Sequence, residues 1–277
     1  MNKKIGFILV LVLMAFLVMG SVNAGLFDFL GGGNNSTRVT NDNNTFIVGF
    51  DSEFPPYGFS DGKGGYTGFD LDLAQEVCNR NNWTLVKQPI DWDAKDSELN
   101  SGTIDCIWNG FTIDGREKDY TWSEPYIDNK QVVVVKNDSG INSLADLKGK
   151  TVETQKDSSA LSALQGSNKS IADTFSKLVE VADYNTGIMD LKSGACDAVA
   201  LDIGVAQYQV TNGNNTGLKI LNESISSEHY GIGFKLGNDA LKNQVQKTLN
   251  EMYADGTVDK IASNYTEYGV PGSLIHK

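Results

Sequence analysis

The chain has 277 residues, a formal net charge of −12 and 40% hydrophobic residues, enough apolar material for the core of one large or two medium domains. Such an acid excess excludes nucleic acid as a partner, because neutralising phosphates takes clustered Lys and Arg. Two histidines and three cysteines without CxxC spacing give no metal-ligand cluster, so neither a metal nor a cofactor is expected.

The chain opens with Lys3 and Lys4, then an uncharged apolar run from Ile5 to Met19, then Val22-Asn23-Ala24. Positive start, apolar middle and small-residue end form a secretory signal, expected to be cleaved after Ala24. The apolar run is shorter than the roughly 20 residues of a membrane-spanning helix, so an uncleaved anchor is the weaker reading. The mature chain is expected in the periplasm or at the cell surface, according to whether the host has an outer membrane. Residues 25–44 (GLFDFLGGGNNSTRVTNDNN) read as a flexible tether. N-x-S/T triplets recur from Asn35 to Asn264, acceptors only in a host that glycosylates secreted chains.

The folded part begins at Thr45 with TFIVGF, a buried-strand run. FPPYGF follows, where Pro55 and Pro56 stiffen a loop. Phe69, Leu73 and Val77 share one helical face, with Ala74 and Cys78 beside them. TLVKQPI is a strand, DSELNSG a helix ending at glycine, TIDCIWNG a strand, and QVVVVKN a long β-branched strand. This alternation predicts an α/β class with helices covering mainly parallel sheets. Cys106 and Cys196 fall in strand-like runs and read as buried small hydrophobes; one disulfide among the three cysteines is left open.

A short repeat organises the chain. LNSGTIDCI (99–107) and LKSGACDAV (191–199) share Leu-x-Ser-Gly-x-x-Asp. In each, a helix stops at Gly102 or Gly194 and a strand follows, so two similar α/β lobes are expected. Asn109 to Thr112 then follow one strand, and Asp202 follows the other. Ligands of open α/β sheets bind outside the carboxyl ends of strands, which brings both sets to one cleft.

Arg116, in GFTIDGREKDYTWSEPY, offers a rigid fork of donors suited to a carboxylate. Asp157-Ser158-Ser159 opens a helix; Ser158 and Ser159 read as cap residues beside free backbone N–H groups. Asp202 ends the run AVAL and suits an ammonium. Together these suit a zwitterion. No nucleophile–base–orienter set is present, GKT at 149–151 lacks the upstream glycine of a phosphate loop, and GIGFKLG does not fit GxGxxG.

Ordered motifs over roughly residues 45–270 carry a family resemblance: FPPYGF, GYTGFDLDLAQEV, LNSGTIDCIWNGFTIDGREKDYTWSEPY, LKGKTVETQKDSS, LKSGACDAVALD and YGIGFKLGNDALKNQVQKTLNEMYADGTVDKIASNY. The chain resembles the extracellular solute-binding proteins, family 3, of ABC importers for polar amino acids. The resemblance implies a two-lobed, type II periplasmic-binding-protein-like fold with two crossing strands, near 131–135 and 230–234. It implies a first lobe built from 45–133 and 232–277 and a second from 134–231. By the same resemblance Arg116 and Ser159 take the ligand carboxylate and Asp202 its ammonium. Phe54 and Trp92 sandwich the side chain, and Asp51 meets a basic side chain in some members. Gly110 and Thr112 supply loop contacts, with Asn109 the alternative to Gly110. The family often reads Thr-x-Thr-x-x-Arg in this loop; TIDGR is one residue shorter, which bears on Thr112 more than on Arg116. The implied partners are an amino acid and a membrane permease, with the chain a monomer and not an enzyme. Two rivals stand beside this: a dehydratase on the same scaffold, with only Asp51 or Asp202 as its acid or base, and a sensor component.

Overall fold

The computed structural model describes residues 44–211 and 216–276. The expected secretory segment and residues 25–43 of the expected tether lie outside the described residues. Among the described residues, no helix is long and apolar enough to cross a membrane.

The first part of the chain holds β1 (Thr45–Phe50), β2 (Glu53–Phe54), β3 (Gly58–Ser60), β4 (Tyr66–Thr67), α1 (Phe69–Asn81), β5 (Thr84–Pro89), α2 (Lys95–Ser101), β6 (Cys106–Thr112) and β7 (Thr121–Trp122). Next come β8 (Ile127–Lys136), β9 (Thr151–Gln155), α3 (Ser159–Gln165), α4 (Lys169–Ala172), β10 (Lys177–Val181), α5 (Tyr184–Ser193), β11 (Ala198–Asp202) and α6 (Ile203–Thr211). The chain closes with β12 (Leu218–Ile220), β13 (Ser226–Phe234), α7 (Asp239–Ala254) and α8 (Thr257–Ser263).

The main sheet has the order β10-β9-β11-β8-β13-β6-β1-β5. Its two ends are parallel, β5-β1-β6 on one side and β10-β9-β11 on the other. Its middle is antiparallel: β8 and β13 pair from Ser226↔Gln131 to Tyr230↔Ile127. Beyond that shared ladder β8 runs on beside β11, and β13 runs on beside β6. The fold is thus the two-lobed type II arrangement, with β8 and β13 as the crossing strands. The crossing ladder begins at Ile127, ahead of the valine run expected to carry it.

The helix reading of α1 holds. Phe69, Leu73, Ala74, Val77 and Cys78 are buried, Asp70 and Asp72 occupy the first turn, and left-handed Asn82 ends it. The repeat has a structural counterpart. Gly102 and Gly194 both cap a helix in the left-handed region, at φ 80° and 87°. Asp105 and Asp197 then do the same job in each lobe. Each accepts a backbone N–H on the neighbouring parallel strand, from Ile47 at 2.7 Å and from Thr151 at 2.8 Å. The aspartate of the repeat therefore pins strand register at the edge where parallel pairing begins.

One expectation is corrected. Asn109–Thr112 do not follow the strand; they are its last residues, because Tyr230 and Gly231 of β13 continue the ladder out to Thr112 and Phe111, and Asp202 is likewise the last residue of β11, paired with Gln131. All three cysteines are buried and free.

Candidate functional site

The carboxyl ends of β6, β9 and β11 face one another across the cleft between the lobes. The cavity there is lined by Phe54, Trp92, Gly110, Thr112, Arg116, Gln155, Ser158, Ser159, Tyr184 and Asp202. Its volume is about 20 Å³, room for a single water molecule. A solute therefore enters only as the lobes separate.

Eight of the ten residues singled out from sequence line this cavity; Asp51 and Asn109 do not. The pairing of β6 is irregular here: its ladder to β13 shifts register and Gly110 is left-handed, and Asn109 sits outside the cavity with its amide 3.4 Å from the Asp51 carbonyl and its Oδ1 beside Gly58. Asp51 borders an adjoining cavity of about 440 Å³ that shares Trp92 and is rimmed by Glu53, Asp91, Asp93, Glu180 and Asp183, with Lys156 paired to Asp93. Gln155 separates the two spaces and donates to Asp51 Oδ2 at 2.6 Å. Burial pushes the Asp51 carboxyl up to about 6, against the lowering by its Glu53 N–H and Gln155 bonds.

Gly110 shows why a glycine is needed at this strand end. Its φ is +56°, and a Cβ there would lie 2.6 Å from Phe54 Cε1. Its N–H donates to Asp70 Oδ2 at 2.6 Å. Asp70 is wholly buried at the start of α1, and burial raises its carboxyl to about 7.

Arg116 is half-buried, its guanidinium stacked 5.3 Å from the Phe111 ring centroid. It donates to the Thr112 carbonyl at 3.3 Å and, across the cleft, to the Asp157 carbonyl at 3.2 Å. With five N–H donors it keeps others for a ligand. Ser158 caps α3, accepting from Leu161 N–H at 3.1 Å.

Asp202 accepts from Asn129 at 2.7 Å, Gln131 at 2.6 Å, Tyr230 at 2.5 Å and Tyr184 at 3.4 Å. Burial, then repulsion from Glu228, pushes its carboxyl up to about 7, against the lowering by those donors. It forms no ion pair among the described residues.

Sequence reasoning missed Glu228. Its carboxylate accepts from Thr112, Asn129 and Gln131, each at 2.8 Å, and from Ser159. Thr112, given a ligand contact in the resemblance, thus bonds to the crossing strand. Glu228 alternates with exposed neighbours along β13, so SSEHYG shows only strand periodicity. Gln155 and Tyr184 were missed as well, although Gln155 ends β9 and the strand-end rule reaches it. Among the described residues, no cluster of three or more His, Cys, Asp or Glu is arranged for a metal ion.

The cleft and its opposed charges are those of a two-lobed binding protein. Residues 46–268 match the bacterial extracellular solute-binding proteins, family 3, and the chain belongs to that family. The chain is 31% identical over 231 residues to the L-cystine-binding protein TcyJ of Escherichia coli (strain K12), covering 80% of this chain and 82% of that one. It is 28% identical to the lysine/arginine/ornithine-binding periplasmic protein of the same strain, covering 82% and 90%. Among solved structures it is similar to an ABC uptake transporter substrate binding protein from Streptococcus pneumoniae with bound histidine. That match has a TM-score of 0.77, 31% identity and coverage of 80% and 92%. It is also similar to an ancestral arginine-binding protein bound to arginine, with a TM-score of 0.73, 39% identity and coverage of 80% and 98%.

Proposed function

We propose that this protein captures a polar L-amino acid outside the cytoplasmic membrane by lobe closure and delivers it to the permease of an ABC transporter. The observation that carries the reading is the opposition of charges across one cavity. Arg116, after β6, lines it with donors to spare, and Asp202, at the end of β11, lines it buried and without a cation among the described residues. A zwitterion pairs both, and burying either charge unpaired is costly. In this reading the lobes are 45–133 with 232–277, and 134–231. The ligand carboxylate meets Arg116 and Ser159, its ammonium meets Asp202, and Phe54 and Trp92 face its side chain.

The free protein is mostly open, and only the closed form makes both sets of contacts, so ligand shifts the population toward closure. The acidic rim around Asp51 supports a preference for a cationic side chain. The relatives' names support a binding role rather than catalysis. The signal segment supports secretion, and the chain acts as a monomer that a permease reads in its closed form.

The test is a thermal-shift screen of residues 25–277 against the common L-amino acids, cystine and ornithine, after removal of copurified ligand. Ligand at 100 times its dissociation constant stabilises by about 2.7 kcal/mol. At roughly 2–4 °C per kcal/mol this is a shift of several degrees. Loss of the shift in Arg116→Ala and Asp202→Ala is expected. Folded protein that responds to none of these compounds refutes the amino-acid assignment.

A further inference from the structure

Lys95 begins α2 in the stretch DAKDSE, which looks like a solvated helix start, yet it is only 2% exposed. Three groups surround its ammonium. It forms an ion pair with the Asp157 carboxylate. The Asp96 carboxylate is 3.9 Å away, and the Trp92 ring centroid 5.5 Å. Trp92 is held on another side by Phe111, edge-on at 5.5 Å and 89°.

Asp157 belongs to the other side of the cleft. It follows β9, takes a left-handed φ of 56° and immediately precedes Ser158, the cap of α3. Both its ends are held from the side that carries Lys95. Its carboxylate takes Lys95, and its carbonyl takes Arg116 Nη2 at 3.2 Å. An ammonium so deeply buried needs an anion, and this one finds it across a cleft that must open. When the lobes part, Lys95 loses Asp157. The pair therefore weights the closed form over the open one.

We infer that Lys95 is a positioning residue for solute capture, a bolt that forms on closure and fixes Asp157, and with it Ser158 and Ser159, against Arg116. The inference rests on the binding reading above. Lys95 does not line the central cavity; it acts through Trp92 on its own side and Asp157 on the other.

The experiment is a double-mutant cycle of Lys95→Met and Asp157→Asn in the secreted, ligand-stripped chain. Methionine keeps the apolar stem and removes the charge. Dissociation rates of L-arginine, L-histidine and L-glutamine are measured by stopped flow. Lobe separation is measured by spin labels at Asn79→Cys and Met189→Cys, both exposed positions on opposite lobes; the native cysteines are buried. Each single variant is expected to release ligand about tenfold faster or more, to hold the lobes apart in a larger fraction of molecules under half-saturating ligand, and to melt near the wild type without ligand. The double variant is expected to match the singles. Folded single variants with wild-type release rates and lobe separation overturn the inference, as do effects that add in the double. If the wild type binds none of the three probes and none of the compounds of the thermal-shift screen, while its lobe separation still responds to Lys95→Met, the bolt stands and the amino-acid reading falls. If it binds none and the separation does not respond, both fall.

Discussion

Asp202 makes the pH dependence of binding a direct test of the ammonium site. Its carboxyl is raised from 3.8 to about 7 by burial and by Glu228. A ligand ammonium pairs with the ionised form, so below pH 7 binding must first expel a proton. Affinity then falls toward tenfold per pH unit, or about 50-fold from pH 7 to pH 5, equivalent to about 2.3 kcal/mol. The ligand-free protein moves the opposite way. A raised carboxyl stabilises the fold fully below its unfolded value, and that contribution is lost as pH rises toward 7. Titration calorimetry at pH 6 in buffers of differing ionisation enthalpy is expected to show net proton release on binding from this group. Asp51, raised to about 6, adds to the release when the side chain is cationic. Affinity flat from pH 5 to 8 with no proton released, or proton uptake, refutes the assignment of Asp202 to the ammonium.

Two further outcomes follow from the backbone around Gly110. Gly110→Ala places a methyl 2.6 Å from Phe54 and 3.0 Å from Tyr230 at a φ of +56°; a loss of about 1–3 kcal/mol is expected, read by calorimetric melting. A wild-type melting temperature would show that the strand end yields more easily than its packing implies. Asp70→Ala strips the Gly110 N–H of its acceptor and is expected to cost about 1–3 kcal/mol by urea titration, whereas Asp70→Asn keeps an acceptor oxygen and is expected to cost less. Equal losses in the two variants would remove the Gly110 bond from the explanation.

The fold was legible because its signals are local. The face of α1, the left-handed caps at Gly102 and Gly194, and the strand runs all follow from residue spacing. The repeat went further, since its aspartates bond equivalent strand edges in both lobes. The lining of the cavity was legible where a residue ends a strand, as with Asp202, and where the resemblance pointed, as with Phe54 and Trp92. It was not legible where the decisive neighbour is distant in sequence. Glu228 gathers Thr112, Asn129, Gln131 and Ser159, none within 60 residues of it on the chain. Lys95 reads as a surface charge until Asp157 is brought to it. Of the two alternatives Asn109 and Gly110, the cavity is lined by Gly110, at an irregularity of β6 that spacing in the sequence does not reveal.

The ladder between β8 and β13 also orders events during synthesis. The chain leaves through Gln131 and returns opposite it at Ser226, so everything between departs and re-enters by one doorway. The strands β8, β9, β10 and β11 are all in hand once residue 202 has emerged. In contrast β6 lies between β1 and β13, and its second neighbour arrives only with residues 226–234. The inserted part can therefore complete its share of the sheet first, while the part that starts the chain waits with one strand edge bare. A nascent chain halted before Ser226 carries that open edge of Cys106–Thr112 as its point of vulnerability to mispairing.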